Sequence, residues 1–235
     1  MALKSFIPYK DFPINKQLIY ELSAMGGSAE CILTFAEDDR ARKIFHFKCT
    51  AGIKLLNIQY HFECISRWED DQSVLTFDRY EEKDFSKDIH KKWELNAEGL
   101  NYLEDKKGLV VEREVVYFTD KEISNILDPL SAVVQFTLNP LLPGETRDIH
   151  IFGKQRAQEL KAENKGDHIA ILPIQGMNAI WTKMLSQAKL KFKNNFLYSV
   201  EIPSPLQFGT LKLNLKTVRD ITKEEVAPLV SAFKS

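Results

Sequence analysis

Between residues 29 and 64 apolar side chains return at every second position in three successive runs, and that rhythm restricts the chain to β-structure. Ala29, Cys31, Leu33 and Phe35 share one face of the first run. Phe45, Phe47 and Cys49 do so in the second, and Leu56, Ile58, Tyr60, Phe62 and Cys64 in the third. Successive side chains on a strand point to opposite sides, so Glu30, Thr34, His46, Lys48, Asn57, Gln59, His61 and Glu63 fall on the other face. The pattern is that of an antiparallel meander with one wet side, its first turn made by the charged residues 37–41.

Further strands are expected near 74–80, 91–96, 109–118, 146–152, 168–174, 189–193, 196–202 and 208–217, each bounded by Gly, Asn, Asp or Pro. Gly153 with Lys154, and Asn164 to Asp167, are hairpin turn signals, because glycine supplies the positive φ that such turns need. Gly26 and Gly27 read as another tight hairpin and lack the spacing of a phosphate-cradling loop.

One stretch breaks the rhythm. Asp128 followed by Pro129 begins a helix, with the carboxylate accepting a backbone N–H and proline in the first position, where its missing donor costs nothing. Pro140 stops it. Leu130, Val133, Val134, Thr137 and Leu138 form a wide apolar stripe, so the helix lies across a sheet face or serves as a lid over an apolar cavity. Pro143 and Gly144 suit the centre of a type II turn. Residues 221–235 read as a tail with a short helix, where Thr222 and Glu225 have capping-box spacing and Pro228 limits the length.

The fold class is therefore mainly β: antiparallel sheets in a curved sandwich or partly open barrel, with one short central helix packed on the sheet. No repeat or Gly, Ser or Pro-rich linker divides the 235 residues. The expectation is a single domain with two β halves, 10–120 and 145–218, joined by the helix at 128–138. A hydrophobic share of 44%, a charged share of 28% and a net charge of −1 exclude a disordered chain and select no polyanionic partner. No window approaches the apolar length that a membrane helix needs, and residues 1–12 lack the core of a secretory leader. The chain as written reads as cytoplasmic or as a mature form without its leader.

Chemical motifs are sparse. His46 and Cys49, then His61 and Cys64, give the residue types of a zinc site, but an offset of three on a strand sends each pair to opposite faces. The histidines should face solvent and the cysteines the core. If the first turn centres near Arg40, Cys31 and Cys49 stand opposite each other, either as buried thiols or as a cross-strand disulfide. No Gly-x-Ser-x-Gly elbow occurs, and Ser131 with Asp128 and His150 or His168 is a weak triad, since Asp128 is needed to cap backbone. The acidic clusters 37–39 and 69–71 belong to turns. No metal and no cofactor are expected.

Two binding surfaces remain. Phe45, Phe47 and Phe62 on the sheet, with Val133, Val134 and Phe136 on the helix, could enclose an apolar or amphipathic ligand such as an acyl chain. Lys189, Lys191 and Lys193 alternate with Leu190 and Phe192, placing lysines on the outer face of a half-buried strand where they protect an edge. The alternative function rests on them: docking on an anionic partner or surface. No aromatic residues interleave on the lysine face, which argues against nucleic acid.

Three blocks taken together resemble a known family. They are NKQLIYELSAMGGSAECILTF at 15–35, DPLSAVVQF at 128–136 followed by PLLPGE, and LYSVEIPSPLQFGTLKLNL at 197–215. In order and spacing they are similar to the exported bacterial proteins catalogued as domain of unknown function 3108. The resemblance implies antiparallel β architecture and a periplasmic or envelope location with the leader removed. It implies no reaction, because that family has no agreed activity; with no catalytic motif in the chain, the expectation is a non-enzymatic envelope protein.

Overall fold

The computed structural model describes residues 6–24, 27–53, 58–71, 74–95, 99–116, 126–152, 157–175, 182–183, 185–203 and 210–231. The first half holds β1 (Phe6–Pro8), β2 (Lys16–Ala24), β3 (Gly27–Glu37), β4 (Lys43–Ile53), β5 (Ile58–Asp71), β6 (Val74–Asp84), β7 (Ile89–Leu95), β8 (Leu100–Lys106) and β9 (Leu109–Val116). Next come β10 (Ile126–Leu127) and α1 (Pro129–Leu138). The second half holds β11 (Thr146–Phe152), β12 (Ala157–Asn164), β13 (Ile169–Gln175), β14 (Lys189–Lys193), β15 (Phe196–Pro203) and β16 (Thr210–Asp220), and α2 (Lys223–Ser231) follows.

These strands form one open sheet that runs from β10 through β16, passes to β2 and ends at β9, with β1 paired to β6. Every pairing is antiparallel except the short β10–β11 contact. The sheet curls so that β11, next to one end, meets β6 and β7. Phe152 of β11 lies 5.5 Å from Phe77, 5.8 Å from Tyr80 and 5.7 Å from Trp93 between ring centroids, so β11 packs on β6 and β7.

The two-residue rhythm sets which face turns inward. Leu18, Tyr20, Cys31, Leu33, Phe35 and Phe45 are buried on the concave side, in one core that also takes in Ile149, Leu160 and Leu190 from the second half. The expected turns form. Asp38 accepts from the backbone N–H of Arg40 and Arg42 at 37–41, and this centring pairs Cys31 with Cys49. Gly144 (φ +83°) and Gly166 (φ +97°) occupy the left-handed positions of the other two turns. The 153–154 and 25–26 turn positions and Leu56 lie outside the described residues.

Asp128 caps α1, its side chain accepting from the N–H of Leu130 and Ser131, with Pro129 in the first turn. The helix lies on the concave side, against β1, β4, β5, β11 and β15. Because it is enclosed on several sides, its buried face is wider than the apolar stripe and includes Ser131 and Gln135. At the tail, Thr222 N–H donates to Glu225 and Glu225 N–H to the Thr222 hydroxyl, at 2.9 and 3.4 Å, which is a capping box. α2 covers part of the convex face, where Ile221 and Val226 join Ala36, Ile44 and Ile65 in a second core.

Several strands were not legible from pattern. β8 alternates only at Leu100 and Tyr102 before running into charge. β12 reads Ala-Gln-Glu-Leu-Lys-Ala-Glu-Asn, a helix-favouring composition, and its buried residues Ala157, Leu160 and Ala162 do not alternate throughout. Pairing on both sides overrides that local preference. The outer face also differs from expectation at His46, which is buried rather than solvated.

Candidate functional site: an apolar cleft beneath the central helix

A cleft of about 310 Å³ opens between the concave sheet and the N-terminal half of α1. Phe47, Phe62 and Cys64 form its floor, Pro129, Leu130 and Val133 its roof, and Leu197, Val200 and Leu213 the far wall. Of the six residues expected to enclose a ligand, Phe47, Phe62, Val133 and Val134 line it. The structure places the other two elsewhere. Phe45 is fully buried among Phe35 and Phe12, at 5.8 and 5.7 Å. Phe136 points the other way, packing on Phe192 at 5.9 Å beneath the Arg147 guanidinium.

Among the described residues that line it, the cleft has one carboxyl. Glu82 of β6 stands at its edge, accepts from the Tyr80 hydroxyl at 2.9 Å and lies 3.8 Å from Lys91 Nζ. Desolvation raises its pKa above the ordinary carboxylate value, against the pull of Lys91 and Tyr80. Sequence reasoning missed it for a definable reason. Alternation in β6 puts Leu75 and Phe77 inward and would put Arg79 inward next. Trp68 pairs with Phe77 and Arg67 with Arg79, so Asp78 is an extra residue that shifts the phase and turns Tyr80 and Glu82 inward. Burial pushes the thiol of Cys64 well above its ordinary pKa, which makes it inert as a nucleophile.

Behind the cleft lies a sealed polar cluster. Asp128 Oδ2 accepts from the hydroxyls of Ser66 and Ser131 at 2.6 and 2.5 Å, and Oδ1 from the Leu130 and Ser131 N–H. Trp68 Nε1 donates to Ser66 Oγ at 2.6 Å and approaches Ser131 Oγ at 3.1 Å. Burial pushes the Asp128 pKa upward, and the four donors oppose the shift. Ser131 thus donates its hydrogen bond to Asp128, and His168 pairs with Asp167, so Asp128, Ser131 and His168 do not assemble a triad.

On the convex face Glu63 accepts from His61 Nε2 at 2.7 Å and lies 3.3 Å from His46 Nε2, while Cys49 and Cys64 belong to the concave core. The histidines take the convex face and the cysteines the concave one, with His46 buried where solvent was expected, and among the described residues no group of three or more His, Cys, Asp or Glu could hold a metal. Lys189 and Lys191 do lie on the outer face, opposite Glu201 and Ser199, and Lys193 sits 5.9 Å over the Tyr198 ring. Their strand is not an edge: β14 is paired with β13 on one side and β15 on the other.

No family model and no curated protein matches the chain. Among solved structures, a beta-barrel-like protein of domain of unknown function DUF1849 from Brucella abortus is similar with a TM-score of 0.52 and 8% identity, covering 93% of this chain and 100% of that one. A DUF1089 family protein from Pseudomonas aeruginosa aligns at TM-score 0.40 and 11% identity over 72% of this chain and 86% of its own. No helix among the described residues is long and apolar enough to cross a membrane. The likeness to the Brucella protein is one of fold, and it agrees with the curled, open antiparallel sheet described above.

Proposed function

We propose that the chain is a non-enzymatic binding module that takes an apolar or amphipathic ligand into the cleft between the sheet and α1. The supporting observation is the cleft itself: about 310 Å³ walled by Phe47, Phe62, Leu130, Val133, Leu197 and Leu213, with few polar groups. Ligand pockets have this size and this composition. At roughly 0.8 kcal/mol per buried methylene, about ten methylenes supply about 8 kcal/mol before ordering costs. Against a hydrolase stands Ser131, fully buried and committed to Asp128. The envelope location implied by the family resemblance belongs to the same proposal, and fractionation of cells expressing the full-length gene tests it.

The binding test is titration with a neutral fluorescent probe, N-phenylnaphthylamine, against the protein and a Val133→Trp variant whose indole fills the cleft. Saturable binding that the variant weakens by roughly tenfold or more is expected, because the probe and the indole compete for one volume. Equal binding by both proteins, or none by either, overturns the proposal.

A further inference from the structure

The cleft has apolar walls but one charged rim, and the rim has a sign. Glu82 of β6 pairs in register with Lys91 of β7, Lys91 with Glu104 of β8, and Glu104 with Glu112 of β9. Each of the first three lies two residues from a ring on the concave face. Those rings, Tyr80, Trp93 and Tyr102, follow one another at 5.4 and 5.0 Å between centroids. The row therefore continues the concave surface outward from the cleft, and it sets three carboxylates against one ammonium. Glu114, paired with Tyr102, adds a fourth carboxylate beside it.

The row acts on its surroundings as a unit. Burial, the hydrogen bond to Glu104 and the charges of Glu112 and Glu82 together push the Tyr102 hydroxyl well above its ordinary pKa. No lysine or arginine is among the described residues that line the cleft, where Glu82 is the one charged side chain. An anionic head placed there meets like charge in a poorly solvated setting. A cationic head meets opposite charge in the same setting, where Coulomb attraction exceeds its value in water.

Building on the apolar-ligand reading, we infer that the ligand is an amphiphile with a cationic, amine-bearing head. Its tail lies along Phe47, Phe62, Leu130 and Val133, and its head sits over Glu82, with Glu104 and Glu112 leading away from it. Glu82 is what joins the two halves of the site, since it belongs to both the cleft lining and the acidic row. The carboxyl that burial disfavours as an anion has Lys91 at 3.8 Å as its present counter-charge and gains a second when the ammonium arrives.

The test compares three probes of equal chain length by calorimetry on the full chain, each below its micelle threshold: dodecylamine, laurate and monolaurin. Dodecylamine is expected to bind roughly tenfold or more tightly than laurate, with monolaurin between them. Glu82→Gln should collapse the amine preference, read as the ratio of dodecylamine to laurate affinity within that variant, while Glu104→Gln with Glu112→Gln, farther along the rim, should reduce the ratio in part. Laurate binding as tightly as the amine, or a preference untouched by both variants, overturns the cationic head and leaves the apolar cleft standing. Failure of all three chains to bind removes the cleft reading and the head preference together.

Discussion

The Ser66 hydroxyl donates to Asp128 Oδ2 at 2.6 Å, a buried bond across 62 residues of sequence that ties β5 to the start of α1. Asp128 does two things at once. It caps the helix through Leu130 and Ser131, and it satisfies hydroxyls that have no water to turn to. Asp128→Ala removes a helix cap worth about 1 kcal/mol and strands two buried hydroxyls at about 1–3 kcal/mol each. The expected loss in urea denaturation is thus about 3–7 kcal/mol, with Asp128→Asn closer to about 1–2 kcal/mol because its oxygen still accepts. An alanine variant within about 1 kcal/mol of the parent would show that the cluster does not anchor the helix.

That cluster marks the division between what the sequence discloses and what it hides. Residues 128–138 were legible as a capped helix because capping, proline placement and the loss of two-residue rhythm are local signals. The pairing of Cys31 with Cys49 was legible too, since a turn and a register determine it. Ser66 as the partner of Asp128 was not, because no local pattern reports a contact between an inward-facing serine and a distant helix. Glu82 was hidden by one extra residue, Asp78, which reverses the facing of everything after it in β6. Phe45 and Phe136 were assigned to the cleft on type and face alone. Facing inward does not distinguish a cavity wall from a packed core, and both rings are packed.

Glu63 predicts a specific acid response. Burial alone would raise its pKa, but hydrogen bonds from His46 and His61, with the charges of His46 and Lys48, hold it down at about 2. A carboxylate depressed in the folded state contributes stability above its unfolded pKa of about 4.3 and loses it as pH falls toward the folded value. The difference in melting temperature between the parent and Glu63→Gln should therefore be full above about pH 5 and close as the pH falls to about 2. A difference that stays constant down to acid would mean that the histidines do not hold the charge.

Cys31 and Cys49 are register partners on β3 and β4, with Sγ atoms 3.1 Å apart. Directly opposed antiparallel residues have Cα separations within the range a disulfide spans. Oxidised glutathione should convert the two thiols to a Cys31–Cys49 disulfide, the two electrons and two protons passing to glutathione, which leaves as two thiols. The closed loop is of a length that stabilises by about 3 kcal/mol on the chain-entropy argument. Peptide mapping should find the 31–49 link and Cys64 alone open to alkylation after unfolding. A link through Cys64, or none after prolonged exposure, would contradict the pairing.

Glu81 gathers charge on the convex face. It is 1% exposed and accepts from Arg67 Nη1 at 2.9 Å, from Arg79 Nη1 at 3.2 Å and from His90 Nε2 at 2.8 Å. Burial would raise its pKa, but the bonds from His90 and Arg67 outweigh it and bring the carboxyl below its ordinary value. Removing one partner of a buried pair costs more than the pair itself contributes, because the charge left behind remains desolvated. Glu81→Gln is expected to lose about 3–5 kcal/mol, since Arg67 is itself only 3% exposed. Replacing both, Glu81→Leu with Arg67→Met, should recover part of that loss, because the buried guanidinium leaves with the carboxylate while Arg79 keeps Glu94 and His90 is partly exposed. If the double variant is as unstable as Glu81→Gln in chemical denaturation, packing rather than charge is what this position supplies.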